Sequence, residues 1–193
     1  MVLRTVKQLT LLASTTPSGS KKVTVKNCAE CLPKANTDGM RFRELCGVLR
    51  WIEQCTRPDI STTLSELSKV QLNPGPVHVE RLDHLMRYVN TTKHLGLLYG
   101  GRDHAMADGV LVGYFDADWA GDPDTFYSRG GWAFCCWQTP VCWASHKMKA
   151  VAASSCESEY MSSSFAVRQA LWMTYLMSDL GYGNLRCTKF GKL

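Results

Sequence analysis

No stretch of the sequence approaches the roughly 18 uninterrupted apolar residues that a membrane span needs, and the apolar run at 9–13 is shorter than the core of a secretory signal. The chain therefore reads as soluble, without a membrane partner, and intracellular, either cytoplasmic or nuclear. Neither kind of Gly-rich phosphate loop, P-loop or dinucleotide, is present. Cys28 and Cys31 form one C-x-x-C, but no second pair follows at finger spacing and no histidine sits nearby, so no structural metal is expected. His78, His84, His94 and His104 fall at no ligand spacing and read as exposed helix histidines. Nine cysteines is an odd count, scattered singly or adjacent as at Cys135 and Cys136, which gives no disulfide framework and fits a reducing compartment. Cys156 and His146 lack an orienting third group, so a buried thiol near a surface imidazole is a better reading than a nucleophile and its base.

What is present is an ordinary globular composition: 193 residues, 45% hydrophobic and 20% charged, enough for one core or two small ones. The formal charge of +5 is unevenly placed. Residues 1–107 carry 15 Lys and Arg against 9 Asp and Glu, and residues 108–193 carry 7 against 8. The basic excess lies wholly in the first half, which makes nucleic acid a candidate partner. Lys21, Lys22, Lys26, Lys34, Arg41, Arg43 and Arg50 are the candidate phosphate contacts, and Trp51, which could stack on a base, reads as core. A solvated face with ordinary solubility charge explains the same residues without a partner, and on composition alone it leads.

Residues 1–39 are rich in breakers, from Thr15-Thr16-Pro17-Ser18-Gly19 to Asn36 and Asp38-Gly39, and read as a poorly ordered arm. From Met40, Phe42, Leu45, Leu49 and Ile52 recur at helical spacing. Thr56-Arg57-Pro58-Asp59 ends that helix and starts another with Ile60, Leu64 and Leu67 inward, and Asn73-Pro74-Gly75-Pro76 precedes a third carrying Leu82, Leu85, Met86 and Val89. A short strand at 95–99 and a polar connection over 100–108 follow, so 40–107 read as a helical segment and 108–193 as a second domain. There, β-rich runs at 110–115, 131–137 and 141–145 predict an antiparallel meander. Ser154-Ser155 then cap a long helix with Met161, Phe165, Trp172, Leu176 and Leu180 on its recurring apolar positions, stopped by Gly181. The fold class is α+β.

Asp116, Asp118, Asp122 and Asp124 gather where the first of these strands runs into its loop, and Glu157 and Glu159 lie in the first turn of the long helix. Each cluster has a structural reason, since strand ends meet water and the helix macrodipole favours acids at its start. If the meander packs on the helix, one acid from each could also share Mg²⁺ through hard oxygen ligands. Spacing alone favours capping and solvation.

The run Gly113-Tyr114-Phe115-Asp116-Ala117-Asp118-Trp119-Ala120-Gly121-Asp122, then Ser128 and Gly131, Trp143-Ala144-Ser145-His146-Lys147, and Ser154-Ser155-Cys156-Glu157-Ser158-Glu159-Tyr160 resembles the ribonuclease H region of copia-type LTR-retrotransposon Pol polyproteins. Leu45-Cys46-Gly47-Val48-Leu49 and Thr56-Arg57-Pro58-Asp59-Ile60 resemble the segment that connects reverse transcriptase to it. The resemblance implies an RNase H-like fold in which acids on a mixed sheet and a helix hold two Mg²⁺ ions that hydrolyse RNA in an RNA–DNA hybrid. It assigns the catalytic and metal-binding roles to Asp116 and Glu159, with Asp118 and Glu157 outside the ligand set, and the rest of a Pol polyprotein as partner.

The resemblance also implies a fourth strand after the long helix, whose aspartate completes the metal site. Thr188 takes that place here with Lys189 beside it, and the family's last helix and strand are missing. The RNase H-like domain thus reads as incomplete, with weak or absent Mg²⁺ binding and little or no hydrolysis, since losing even a supporting partner typically costs ~10 to 100-fold in metal affinity or activity. An uncovered sheet edge and apolar face, occupied by tryptophans and Cys135-Cys136, predict self-association. Two other readings stay open: a non-catalytic nucleic-acid-binding fragment, and a degenerate open reading frame without selected function.

Overall fold

A computed structural model describes residues 37–99, 111–122, 125–136, 139–183 and 187–192. Up to residue 36 the arm lies outside them, with Lys21, Lys22, Lys26, Lys34, Cys28 and Cys31, and so do His104 and Asp124. The chain divides between Gly96 and Leu97 into a helical unit and a sheet unit, ahead of the boundary read at 107. Residues 97–99 belong to the sheet unit because Thr139 Oγ1 donates to Leu98 O at 2.9 Å and Tyr99 OH donates to Pro140 O at 3.0 Å. These are side-chain bonds, and 95–99 is irregular chain instead of the expected strand.

The helical unit contains α1 (Thr37–Cys55), one 3-10 turn (Pro58–Ile60), α2 (Ser61–Ser68) and α3 (Pro76–Thr91). Its core joins Phe42, Cys46 and Leu49 of α1 to Ile60, Leu64 and Leu67, and to Leu82 and Leu85 of α3. Trp51, read as core, is 71% exposed. At 100° per residue it stands at the pole of α1 opposite Phe42, Cys46 and Leu49. Met86 is likewise on the solvent side of α3.

The break between α1 and α2 is built on a buried ion pair. The Arg57 guanidinium donates to both Asp59 oxygens, at 2.9 and 2.7 Å, and to Thr92 Oγ1 and O at 2.7 and 3.1 Å, while Tyr88 OH donates to Asp59 Oδ2 at 2.9 Å. The fork geometry satisfies both charges at once. It ties the start of the second helical stretch to the end of α3. Pro58 suits the first position of the turn because its missing N–H needs no acceptor there.

His78 corrects the reading of an exposed helix histidine. It is 3% exposed, and its Nδ1 accepts the Gly75 N–H at 2.9 Å at the start of α3. Burial first, then the charge of Arg81, holds its imidazole below the ordinary value of 6.5.

The sheet unit has the expected meander: β1 (Leu111–Asp118), β2 (Arg129–Cys136) and β3 (Thr139–Lys147) pair antiparallel in sequence. After α4 (Ser155–Asp179), β4 (Cys187–Lys192) pairs parallel to β1, giving a mixed sheet of order β3-β2-β1-β4. Ser154 caps α4 by accepting the Glu157 N–H at 3.2 Å. The helix stops where Gly181 takes φ +86, with Gly181 N–H bonding Ser178 O and Tyr182 N–H bonding Met177 O, the two bonds of a Schellman ending. The α+β class holds.

The buried side of α4 is Ser158, Ser162, Ala166, Ala170 and Met173, not the expected series of large residues, of which Trp172 is 54% and Leu180 61% exposed. Small side chains face inward because the helix lies close on the sheet. There Leu111, Phe134 and Cys136 meet Ala170 and Met173 to form the core. Cys135 and Cys136, expected on an uncovered face, are each 2% exposed. Burial pushes the Cys135 thiol up to about 12, which makes it a poor nucleophile.

Replacing Arg57 by Ala leaves Asp59 buried without its counter-ion and should lower stability by about 3–5 kcal/mol. Urea unfolding measures the loss, and the joint replacement of Arg57 by Met and Asp59 by Leu should recover a large part of it.

Candidate functional site

The C-terminal end of β1 and the first turns of α4 carry the sequence-derived acids. Ser162 Oγ donates to Asp116 O at 2.7 Å, so the helix grips the main chain of Asp116 and leaves its carboxylate out of that bond. Glu159 lies one turn ahead of Ser162, three residues earlier on the same side of α4. Its Oε2 is sealed from solvent. The close approach needs Gly130 on β2: a Cβ there would lie 3.2 Å from Ser162 Oγ, 3.2 Å from Met148 Cε and 3.3 Å from His146 Nε2.

The neighbouring acids do structural work. Glu157 Oε2 accepts the Ala153 N–H, just ahead of the cap, at 2.6 Å, while the Glu157 N–H donates to Ser154 Oγ at 3.2 Å, so both bonds serve the start of the helix. Asp122, 6% exposed, pairs with Lys147 at 2.7 Å and, through its backbone, closes the β1–β2 loop onto Phe126 and Tyr127. Asp118 folds its carboxylate over Gly121, where a Cβ would collide with it. Trp119 Nε1 donates to Ala152 O at 3.0 Å and ties the end of β1 to the segment that enters α4.

His146 and Cys156 reverse their expected positions. Cys156 is exposed. His146 is half-buried, its ring against Phe165 at 4.4 Å and its Nε2 buried without a hydrogen-bond partner among the described residues. Burial first, then the charges of Arg129 and Arg168, holds its imidazole below 6.5.

Among the described residues no group of three or more His, Cys, Asp or Glu side chains could hold a metal ion. The register of β4 adds a second mismatch. Cys187 pairs with Leu111 and Lys189 with Val112, so Thr188 falls at the irregularity between them. At ~3.3 Å per residue that level is roughly 13 Å along the strand from Asp116. Thr188, set by the resemblance in the third acid's place, therefore does not stand beside Asp116. The donors described do not fit a two-Mg²⁺ site.

Of the candidate phosphate contacts, Arg41 and Arg43 are exposed on α1. Arg50 is engaged within the helical unit, donating to Glu53 Oε2 at 3.3 Å and to Ser68 Oγ at 3.0 Å. No helix among the described residues is long and apolar enough to cross a membrane.

No family model and no solved structure matches the sequence. Curated proteins do. The retrovirus-related Pol polyprotein from transposon TNT 1-94 of Nicotiana tabacum is 32% identical over 169 residues, 87% of this chain and 12% of that protein. The Pol polyprotein from transposon RE1 of Arabidopsis thaliana is 33% identical over 145 residues, 75% of this chain and 10% of that protein. The secreted RxLR effector protein 161 of Plasmopara viticola is 38% identical over 128 residues, 66% of this chain and 87% of that protein. The chain thus spans 10–12% of the length of these Pol polyproteins.

A methyl group at position 130 would crowd the tips of Met148, Ser162 and His146, which must each give by a few tenths of an ångström, so Gly130→Ala is expected to cost about 1 kcal/mol in urea unfolding, the low end for overpacking. Gly131→Ala, whose Cβ would meet nothing nearer than Ala144 O at 3.7 Å, should cost far less. His78 and His146 both have folded-state values lowered below 6.5. Their contribution to stability is present above that value and is lost as pH falls through the lowered values. Denaturation midpoints should therefore drop between neutral and mildly acidic pH, and His78→Asn, which keeps an acceptor for Gly75, should flatten part of that slope.

Proposed function

The chain belongs to the retrovirus-related Pol polyprotein family of transposons, and from that premise we propose that it supplies the connecting helices and the sheet-and-helix portion of an RNase H-like domain. Its substrate class is the RNA–DNA hybrid, and Asp116 and Glu159 are the two acids of its catalytic site. The observation that carries this reading is the Ser162–Asp116 bond, which brings the strand bearing one acid against the helix bearing the other. The mixed sheet, with a strand after the long helix laid parallel to β1, supports it.

Hydrolysis by this chain alone is not part of the proposal. Two acids supply too few hard ligands for two hydrated divalent ions, and the cationic side chains of Arg129 and Arg168 act on the same neighbourhood as His146. Hybrid binding rests instead on phosphate contacts, with Arg41 and Arg43 exposed to make them.

Incubation with a labelled RNA–DNA hybrid and Mg²⁺ or Mn²⁺ should give no cleavage above background. Binding should be independent of the metal and weaken steeply with salt. Metal-dependent cleavage that disappears in Asp116→Asn would overturn the expectation of an incompetent site, and absence of hybrid binding at low salt would overturn the substrate class.

A further inference from the structure

The core of the sheet unit gathers sulfur. Cys142 Sγ on β3 stands 3.8 Å from Met173 Sδ on α4, and Cys136 of β2 belongs to the same core. Phe134 is the register partner of Cys142, so Cys136, two residues on, is a diagonal neighbour of Cys142 on one face of the sheet. Diagonal Cα atoms are roughly 7–8 Å apart, beyond the ~6.8 Å reach of a disulfide, a gap that an ion between the two sulfurs can span. Gln169, one turn of α4 before Met173, donates its Nε2 amide to Cys142 Sγ at 4.0 Å. Burial pushes that thiol up to about 11, and the Gln169 bond opposes the shift by favouring the thiolate.

We propose that Cys142, Met173 and Cys136 form a binding site for a soft monovalent cation, Cu(I). The donors decide the class. Thiolate and thioether select Cu(I), whereas Mg²⁺ and Ca²⁺ take oxygen ligands. A closed zinc site draws four ligands from Cys, His and carboxylates, and among the described residues no three such side chains gather to hold an ion. Binding replaces the Cys142 S–H bond by an S–Cu bond and releases the proton to solvent. One thiolate and one Cu(I) make a neutral unit, which the surrounding Leu111, Phe134 and Ala170 tolerate better than a net charge. Two sulfurs each about 2.3 Å from a shared ion lie about 3.8–4.0 Å apart at tetrahedral to trigonal angles, so the Cys142–Met173 pair already has the required spacing. Cys142 is half-buried on the edge strand of the sheet, which leaves the ion an entry path. The proposal does not depend on the nuclease reading.

Anaerobic titration of the full chain with Cu(I) against a competing chelator tests it, with Ag(I) as a redox-inert second probe. Replacing Cys28, Cys31, Cys55, Cys156 and Cys187 by Ser beforehand removes the C-x-x-C, the exposed thiols and the β4 thiol. This background should retain one equivalent of either ion, with sulfur alone around it in X-ray absorption, and should retain no Zn²⁺. Cys142→Ala and, separately, Met173→Leu, a volume-conserving swap, should each weaken retention at least about tenfold with far-UV circular dichroism unchanged. Met86→Leu, on the solvent side of α3, should leave it as it was. A background that retains neither ion overturns the proposal, as does an ion held through nitrogen or oxygen, or retention that both Cys142→Ala and Met173→Leu leave intact.

Discussion

The sheet unit depends on how near α4 can come to β1 and β2. A long helix of large apolar residues would stand off from the strands at ordinary side-chain distance. Ser158, Ser162, Ala166 and Ala170 line its inner side, and Gly130 presents no side chain to it. Backbone and helix then approach closely enough for the Ser162 hydroxyl to reach the Asp116 carbonyl at 2.7 Å. The bond is part-buried and adds about 0.5–1.5 kcal/mol, the net contribution of an ordinary hydrogen bond. Beside this contact Glu159 lies one turn ahead of Ser162, and Trp119 clasps the segment before the helix.

Most of the conspicuous acids serve structure. Glu157 caps α4, Asp122 holds Lys147 across the loop, Glu53 meets Arg50, and Asp59 neutralises Arg57 in the helical unit. Solvent exposure discounts some of these pairs, but the Arg57–Asp59 side chains are 5% and 10% exposed. There the fixed fork of hydrogen bonds offsets a desolvation cost that an isolated pair could not. A carboxylate count taken from the sequence therefore overstates the chemistry at the site, because capping and ion pairing draw on the same residue types.

What the sequence made legible had local causes. Ser154 at the start of α4 and Gly181 at its end announce themselves through capping chemistry, and the alternation in β1 to β3 through strand spacing. What it hid depends on partners distant along the chain. His78 looks like a polar helix residue until Gly75 turns back onto its ring. Trp51 looks like core by its type, yet its angular position on α1 opposes the buried stripe. In α4 the large apolar residues have helical spacing of their own, so periodicity picks their side as the inner one. The inner side is the one that carries Ser158, Ser162, Ala166 and Ala170, small or polar residues that give little hydrophobic periodic signal. Asp116 and Glu159 stood out through the resemblance, not through spacing, since an acid at a strand end and one at a helix start have ordinary structural explanations.

The register of β4 shows which force places the last strand. Gly113 on β1 leaves room for two rings: a Cβ there would lie 2.7 Å from Phe134 Cε1 and 3.0 Å from Phe190 Cε1. Phe190 is the register partner of Gly113, and its ring meets Phe134 edge-on at 6.3 Å and Phe115 at 6.4 Å. Aromatic pairs of this kind contribute about 0.5–1.5 kcal/mol each beyond the area they bury. A metal site would hold a strand by a different point, tying an acid on β4 to the level of Asp116. In this structure β4 settles where Phe190 fills the space over Gly113.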